Sequence, residues 1–137
     1  MGAKRFDIPN NPEQRIRSID SCDYARQNGL ELISISENEV RVAMDVEGKL
    51  NGFKCAHGGA VFALADQAFA FAVNKDDTPQ VAMSASIRYV KPAYGRLEAV
   101  ATKVREDAKT SVVRVLVYDE NELVAEFEGV SYKLRKD

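Results

Sequence analysis

The sequence predicts an α+β fold in which an antiparallel sheet of six strands wraps round one long central helix, with a short helix at the N-terminus. Three observations predict it. In the stretch GGAVFALADQAFAFAVN, only Asp66 and Gln67 are polar between Ala60 and Val73. Its length and its alanines favour a helix, and a helix apolar nearly all round is a buried one. Two β-patterned segments precede it and four follow it, with short connections that imply antiparallel neighbours.

Taken in order, residues 1–10 read as a loose polar arm. Asn11 and Pro12 form an N-cap with proline at the first helical position, and Gly29 is the stop signal. Ile16, Ile19 and Tyr24 give this helix a weak apolar face. Leu30 to Ser36 is apolar and β-branched. Glu39 to Val46 alternates, with Val40, Val42, Met44 and Val46 on one face, and Glu37-Asn38 supplies a hairpin turn between the two. A loop from Lys49 to Cys55 carries Asn51-Gly52 and leads into the central helix, which opens at Gly58. After a loop at Lys75 to Pro79, strands are expected over Gln80 to Val90, Arg96 to Glu106, Thr110 to Tyr118 and Glu122 to Leu134. Pro92 and Gly95, Asp107 to Lys109, and Asp119 to Asn121 punctuate them. No repeat or linker interrupts residues 11–137, which are read as a single domain.

Composition narrows the function. A chain of 137 residues with 45% hydrophobic and 29% charged residues can bury a real core. Its net charge of −2 does not favour nucleic acid or an anionic membrane as a partner. No apolar run reaches the roughly 18 residues of a spanning helix. No apolar targeting segment stands at the N-terminus, and Cys22 and Cys55 make no disulfide framework, so a cytoplasmic location is expected. His57 is the single histidine, and no cluster of ligands stands at metal spacing, so no metal or cofactor is expected.

Asp66 is the residue that does not fit its surroundings. Aspartate inside a helix costs about 0.6 kcal/mol relative to alanine, and burying an unpaired carboxylate costs several times more. No lysine or arginine lies between residues 55 and 74 to neutralise it. Two readings are open. Asp66 either faces an exposed flank or caps a neighbour, or it lies in a cleft where desolvation raises its pKa and makes it a base or nucleophile.

His57-Gly58-Gly59 bears on that choice. Glycines ahead of an apolar helix leave free backbone N–H groups at its positive end, where a developing oxyanion can be held. A tight turn that needs glycine is the simpler account. Gly58 and Asp66 are eight residues apart, which is about 12 Å along a helix. One chain therefore does not bring both to one carbonyl carbon, whereas two antiparallel central helices would. If both residues act, the site straddles a dimer interface.

Leu50-Asn51-Gly52, His57-Gly58-Gly59 and Ala63-Leu64-Ala65-Asp66, followed by an alanine- and phenylalanine-rich helix end, resemble the hot-dog-fold acyl-CoA thioesterases of the phenylacetate-degradation type. Tyr89-Val90-Lys91-Pro92-Ala93 resembles a later strand-end motif of the same family. The resemblance covers residues 22 to 134. It implies hydrolysis of an acyl-CoA, aryl or medium-chain, with CoA as part of the substrate and no separate cofactor. It implies that Asp66 is the general base or nucleophile and that the Gly58 N–H polarises the thioester carbonyl. Asn51 and His57 would line the same site. Gly59 and Lys91 are carried over with the motifs as substrate-binding positions. Ser84 or Ser86 would match a hydroxyl residue that holds the attacking water, or both simply sit on a strand. The resemblance also implies dimers, commonly paired into tetramers, with sites shared between subunits.

Lys54, Arg88, Lys91, Arg96 and Lys109 are candidates for the CoA phosphates on chemistry alone. Cys55 beside His57 reads as an inert cysteine rather than a nucleophile. Two rival functions stay open: a hot-dog dehydratase, though the proline-rich motif between its histidine and acid is absent, and a non-catalytic acyl-CoA-binding module.

Overall fold

The computed structural model describes residues 6–134. The first five residues of the predicted arm lie outside the described residues. Phe6 to Asn10 carry no helix or strand, yet they are tied down, because the Arg15 guanidinium donates to the carbonyls of Pro9 (3.0 Å) and Asn10 (2.6 Å).

Helix α1 spans Pro12–Asp20, and the Asn11 side chain accepts the Gln14 N–H at 3.2 Å. The single N-terminal helix expected up to Gly29 is in fact two. Ser21 turns both its N–H and its hydroxyl back onto the Arg17 carbonyl, and Cys22 then takes an extended conformation. Cys22 caps α2 (Asp23–Asn28) through its sulfur, which accepts the Ala25 N–H at 3.5 Å. The break rotates the expected apolar face, so Ile16 and Ile19 pack against the core while Tyr24 is exposed. Gly29 ends α2 at φ 62°, in the left-handed region that favours glycine.

Six strands form one sheet: β1 (Glu31–Ile35), β2 (Val40–Asp45), β3 (Gln80–Tyr89), β4 (Arg96–Glu106), β5 (Thr110–Asp119) and β6 (Glu122–Lys133), in the order β1-β2-β4-β5-β6-β3. Every neighbouring pair is antiparallel. Val40, Val42 and Met44 of β2 and Leu97, Ala99 and Ala101 of β4 are fully buried on the concave face, as alternation predicts. Helix α3 (Gly58–Asn74) lies in that concavity, and its Leu64, Ala65, Ala68, Phe69 and Phe71 are buried. Gly129 of β6 makes the close approach possible. A Cβ there would stand 2.7 Å from the Phe69 ring, so any larger residue forces that ring out of its place between helix and sheet. No helix among the described residues is long and apolar enough to cross a membrane.

Two features of this wrapping set up the site. The sheet leaves one flank of α3 uncovered, and α1 closes only part of it, with Gln67 Nε2 donating to the Ile19 carbonyl at 2.9 Å. Asp66, on that flank, is only partly buried. Beside the same helix, β3 is an edge strand, paired with β6 on one side alone, and exposed along most of its length.

Candidate active site

The N-terminus of α3 is built by a tight loop. Asn51 Oδ1 accepts the N–H groups of Phe53 (2.8 Å) and Cys55 (3.3 Å), and the Asn51 N–H donates to the Cys55 carbonyl (2.8 Å). Lys54 takes a positive φ of 63° to close the turn. The Asn51 amide nitrogen faces the Cys55 sulfur at 3.3 Å. Asn51 therefore shapes the loop through its oxygen, and Cys55 sits against it. The loop then joins the body of the protein, with the Ala56 N–H donating to the Ala93 carbonyl and the His57 N–H to the Lys49 carbonyl, both at 2.8 Å.

His57 is the N-cap of α3, and its Nδ1 accepts the Gly59 N–H at 2.9 Å. An accepting Nδ1 assigns the ring proton to Nε2. The His57 carbonyl accepts from Ala60 and Val61. Among the described residues the Gly58 N–H donates to nothing. It is a free donor at the positive end of a 17-residue helix. A cleft of about 400 Å³ opens in front of it, lined by Asn51, Cys55, Gly58, Val61, Tyr89 and Lys91. Its surroundings are apolar and exposed, with Phe53 91% accessible at the loop tip.

Asp66 does not line this cleft. It sits two turns further along α3, about 12 Å from Gly58 along the axis. Its carboxylate makes no hydrogen bond or ion pair among the described residues, and desolvation alone pushes its pKa above the ordinary aspartate range. The structure thus brings Gly58, Gly59, His57, Asn51 and Lys91 together at one end of α3 and leaves Asp66 apart, on the open flank.

Ser84 and Ser86 go elsewhere. Ile87 packs against the core and Gly129, the pairing partner of Ala85, faces Phe69, so the two serines that alternate with these positions point to the far side of the sheet from α3. Within this chain neither serine reaches the cleft. Three of the candidate cations are engaged: Lys91 with Glu122 (2.5 Å), Arg88 with Glu126 (2.5 Å), and Arg96 with Glu31 and Asp45 (3.0 and 3.3 Å). Lys54 stands on the loop beside the cleft. Lys109 lies in the turn between β4 and β5, next to Pro79 and Leu134 at the other end of α3. A larger groove of about 600 Å³ holds Arg41, Glu98 and Arg96; Arg41 is paired with Glu39 and Glu98, and Arg96 with Glu31 and Asp45.

Tyr89, in the strand-end motif, makes a contact that its sequence neighbours do not signal. Its hydroxyl donates to the Gly58 carbonyl at 2.9 Å. Contact between residues 31 positions apart leaves no local signal in a single sequence.

A long helix buried in a six-stranded antiparallel wrap is the hot-dog arrangement, and here it carries a carboxylate on its open flank and a free N–H at its head. Residues 53–126 match the sequence pattern of the family described as the thioesterase superfamily. The chain is 35% identical over 119 residues to the acyl-coenzyme A thioesterase PaaI of Escherichia coli strain K12, covering 84% of each chain. It is 34% identical over 130 residues to a putative esterase of Deinococcus radiodurans, covering 91% of this chain and 88% of that one. Among solved structures, the PaaI protein from the phenylacetic acid degradation operon of E. coli superposes with a TM-score of 0.83 at 30% identity, over 90% of this chain and 94% of that one. A mutant form of the phenylacetic acid degradation protein PaaI from Thermus thermophilus gives a TM-score of 0.77 at 37% identity, over 81% of this chain and 98% of that one. The chain belongs to the thioesterase superfamily.

Proposed function

We propose that the protein hydrolyses an acyl-CoA thioester at a site shared by two copies of the chain, with Asp66 as the catalytic carboxylate. The observation that carries this reading is the pairing of two unsatisfied groups on one helix: the free Gly58 N–H at its head and the unpartnered, desolvated Asp66 carboxylate on its open flank. In an antiparallel pair of α3 helices the head of one lies beside Asp66 of the other. The thioester carbonyl oxygen then accepts from the Gly58 N–H. Asp66 of the second copy takes a proton from water as its oxygen adds to the carbonyl carbon, or attacks that carbon itself to give a mixed anhydride that water later opens. In either case the C–S bond breaks, CoA leaves as the thiolate and takes up a proton, and the free acid is released. A raised pKa makes Asp66 a stronger base than an exposed aspartate.

Pairing is supported by β3, a ten-residue edge strand that is exposed along most of its length. Exposed edges of this length call for cover, and a second β3 across a two-fold axis supplies it. A homotetramer made of two such dimers is the proposed assembly. The relatives named for phenylacetic acid degradation make an aryl or medium-chain acyl group the proposed cargo. Lys54 and Lys91, at the cleft, are the proposed phosphate contacts. Both cysteines are free thiols, which suits the cytoplasm.

The test is CoA release from short, medium, long and aryl acyl-CoAs by the wild type and by Asp66→Asn. Hydrolysis by the wild type with a fall in kcat of about 10²- to 10⁴-fold in the variant is expected for loss of a general base. Near-wild-type turnover by Asp66→Asn would remove Asp66 from the chemistry. An enoyl thioester product, in place of free CoASH, would mean dehydration.

A further inference from the structure

We propose that Tyr89 is a positioning residue for the hydrolysis, a clamp at the end of β3 that fixes the direction in which the Gly58 N–H points. The proposal rests on the reading of Gly58 as the donor to the thioester carbonyl.

Gly58 and Gly59 have the widest backbone freedom of any residues, and they stand at the head of a helix, where termini fray. An oxyanion donor needs the opposite: an N–H held in one direction before the charge develops. The structure supplies that constraint from three sides. The Gly59 N–H is held by His57 Nδ1 at 2.9 Å. The His57 carbonyl, on the same peptide unit as the Gly58 N–H, accepts from Ala60 (2.9 Å) and Val61 (3.1 Å). The Gly58 carbonyl, which points into the helix, takes a further hydrogen bond from the Tyr89 hydroxyl at 2.9 Å. A carbonyl oxygen has two lone pairs, so this bond adds to the helical one without displacing it.

Both peptide planes that meet at Gly58 are therefore anchored, and its N–H is the backbone donor left free in the turn among the described residues. Of these anchors, Tyr89 alone comes from outside the loop and the helix. It ties the helix head to β3, whose end is fixed by the Val90 N–H donating to the Val124 carbonyl at 2.8 Å. The aromatic ring contributes as well. A Cβ on Gly58 would lie 3.2 Å from its Cζ and Oη, so ring and glycine are fitted to each other. The ring is 52% exposed and forms a wall of the cleft into which the N–H opens.

Tyr89→Phe keeps the ring and the wall and removes only the hydroxyl. Loss of one neutral hydrogen bond that orients the donor predicts a fall in kcat of about 3- to 10-fold. The KM for the acyl-CoA should stay close to the wild-type value. So should the Kd for the corresponding S-alkyl-CoA thioether, which has no carbonyl to receive the N–H. A kcat equal to the wild type overturns the proposal. So does a loss of thioether affinity that matches the loss in kcat, because Tyr89 would then be contacting substrate directly. Gly58→Pro, which removes the donor itself, is assayed alongside. An inactive Gly58→Pro beside a fully active Tyr89→Phe sinks the clamp alone, whereas a fully active Gly58→Pro sinks the reading of Gly58 as the donor on which it rests.

Discussion

With Asp66 as the proposed catalytic carboxylate, catalysis and stability stand in opposition. Its pKa is raised by desolvation with no partner to compensate, so the native state binds the proton more tightly than the unfolded chain. The stabilising contribution of the protonated form is fully present below the ordinary aspartate pKa of about 3.9 and is lost as pH rises through the raised native value. At neutral pH the ionised carboxylate therefore lowers stability. Asp66→Asn removes that penalty, and we expect its Tm to exceed the wild type at pH 7 and to converge on it as the pH falls towards about 4. Thermal melts across that range, on the same variant that is assayed for CoA release, read both sides of the trade. An equal or lower Tm at pH 7 would mean that Asp66 is satisfied by groups outside this chain. The same titration sets the acid limb of kcat/KM, which should bend above the ordinary aspartate range because the ionised form is the active one. Asp66 was legible in the sequence for the reason that makes it costly: it is an uncompensated charge in an apolar run. The Tyr89–Gly58 contact was not legible, since it depends on how β3 and α3 are brought together by the sheet between them.

Helix α3 is held at both ends by residues from other elements. At its head the loop around Asn51 and the Tyr89 hydroxyl fix the first turn. At its tail no basic residue of its own faces the negative end of the helix dipole. Arg15 of α1 takes that place. It is 1% exposed and donates to the carbonyls of Asn74 and Asp76 as well as to Pro9 and Asn10. Burial lowers its pKa and the Asp77 carboxylate opposes the drop. Nearby, Asn74 bonds to both the N–H and the carbonyl of Gln80, so the loop into β3 is set by the same knot. Arg15→Ala strands these carbonyls without donors, and we expect a loss of about 2–4 kcal/mol in urea denaturation. Arg15→Lys should recover little of it, because one ammonium cannot reproduce the planar fork. The strand spans were readable to within a residue or so, since alternation and turn residues are local. The break at Ser21-Cys22 was not, because it rests on hydrogen bonds back to Arg17 rather than on a proline or glycine. The outward direction of Ser84 and Ser86 depends on register against β6, which a strand pattern with small residues on both faces does not specify.

At the scale of the whole molecule, the sheet solves the burial of α3 and leaves two groups that a single chain does not bring to one carbonyl. The Gly58 N–H opens into a cleft that Asp66 does not line, and the edge of β3 stands free beside the flank that carries Asp66. Pairing two copies would bring the head of each α3 to the other's carboxylate, so each site would need one intact residue from each chain. That requirement has a numerical consequence. Asp66→Asn supplies a good donor and no base. Gly58→Pro supplies a good base and no donor, with proline at the first helical position where it is otherwise tolerated, although the Tyr89 ring must give by a few tenths of an ångström. Each variant alone should be close to inactive. When the two are co-expressed in equal amounts, half of the dimers are mixed, and each mixed dimer has one of its two sites whole. The pool should then recover about one quarter of wild-type activity, and mixed dimers isolated by two affinity tags about one half. Mixed dimers that stay as inactive as their parents would place both residues of a working site on one chain, and the roughly 12 Å between them along α3 would then have to be closed by substrate or by movement of the helix.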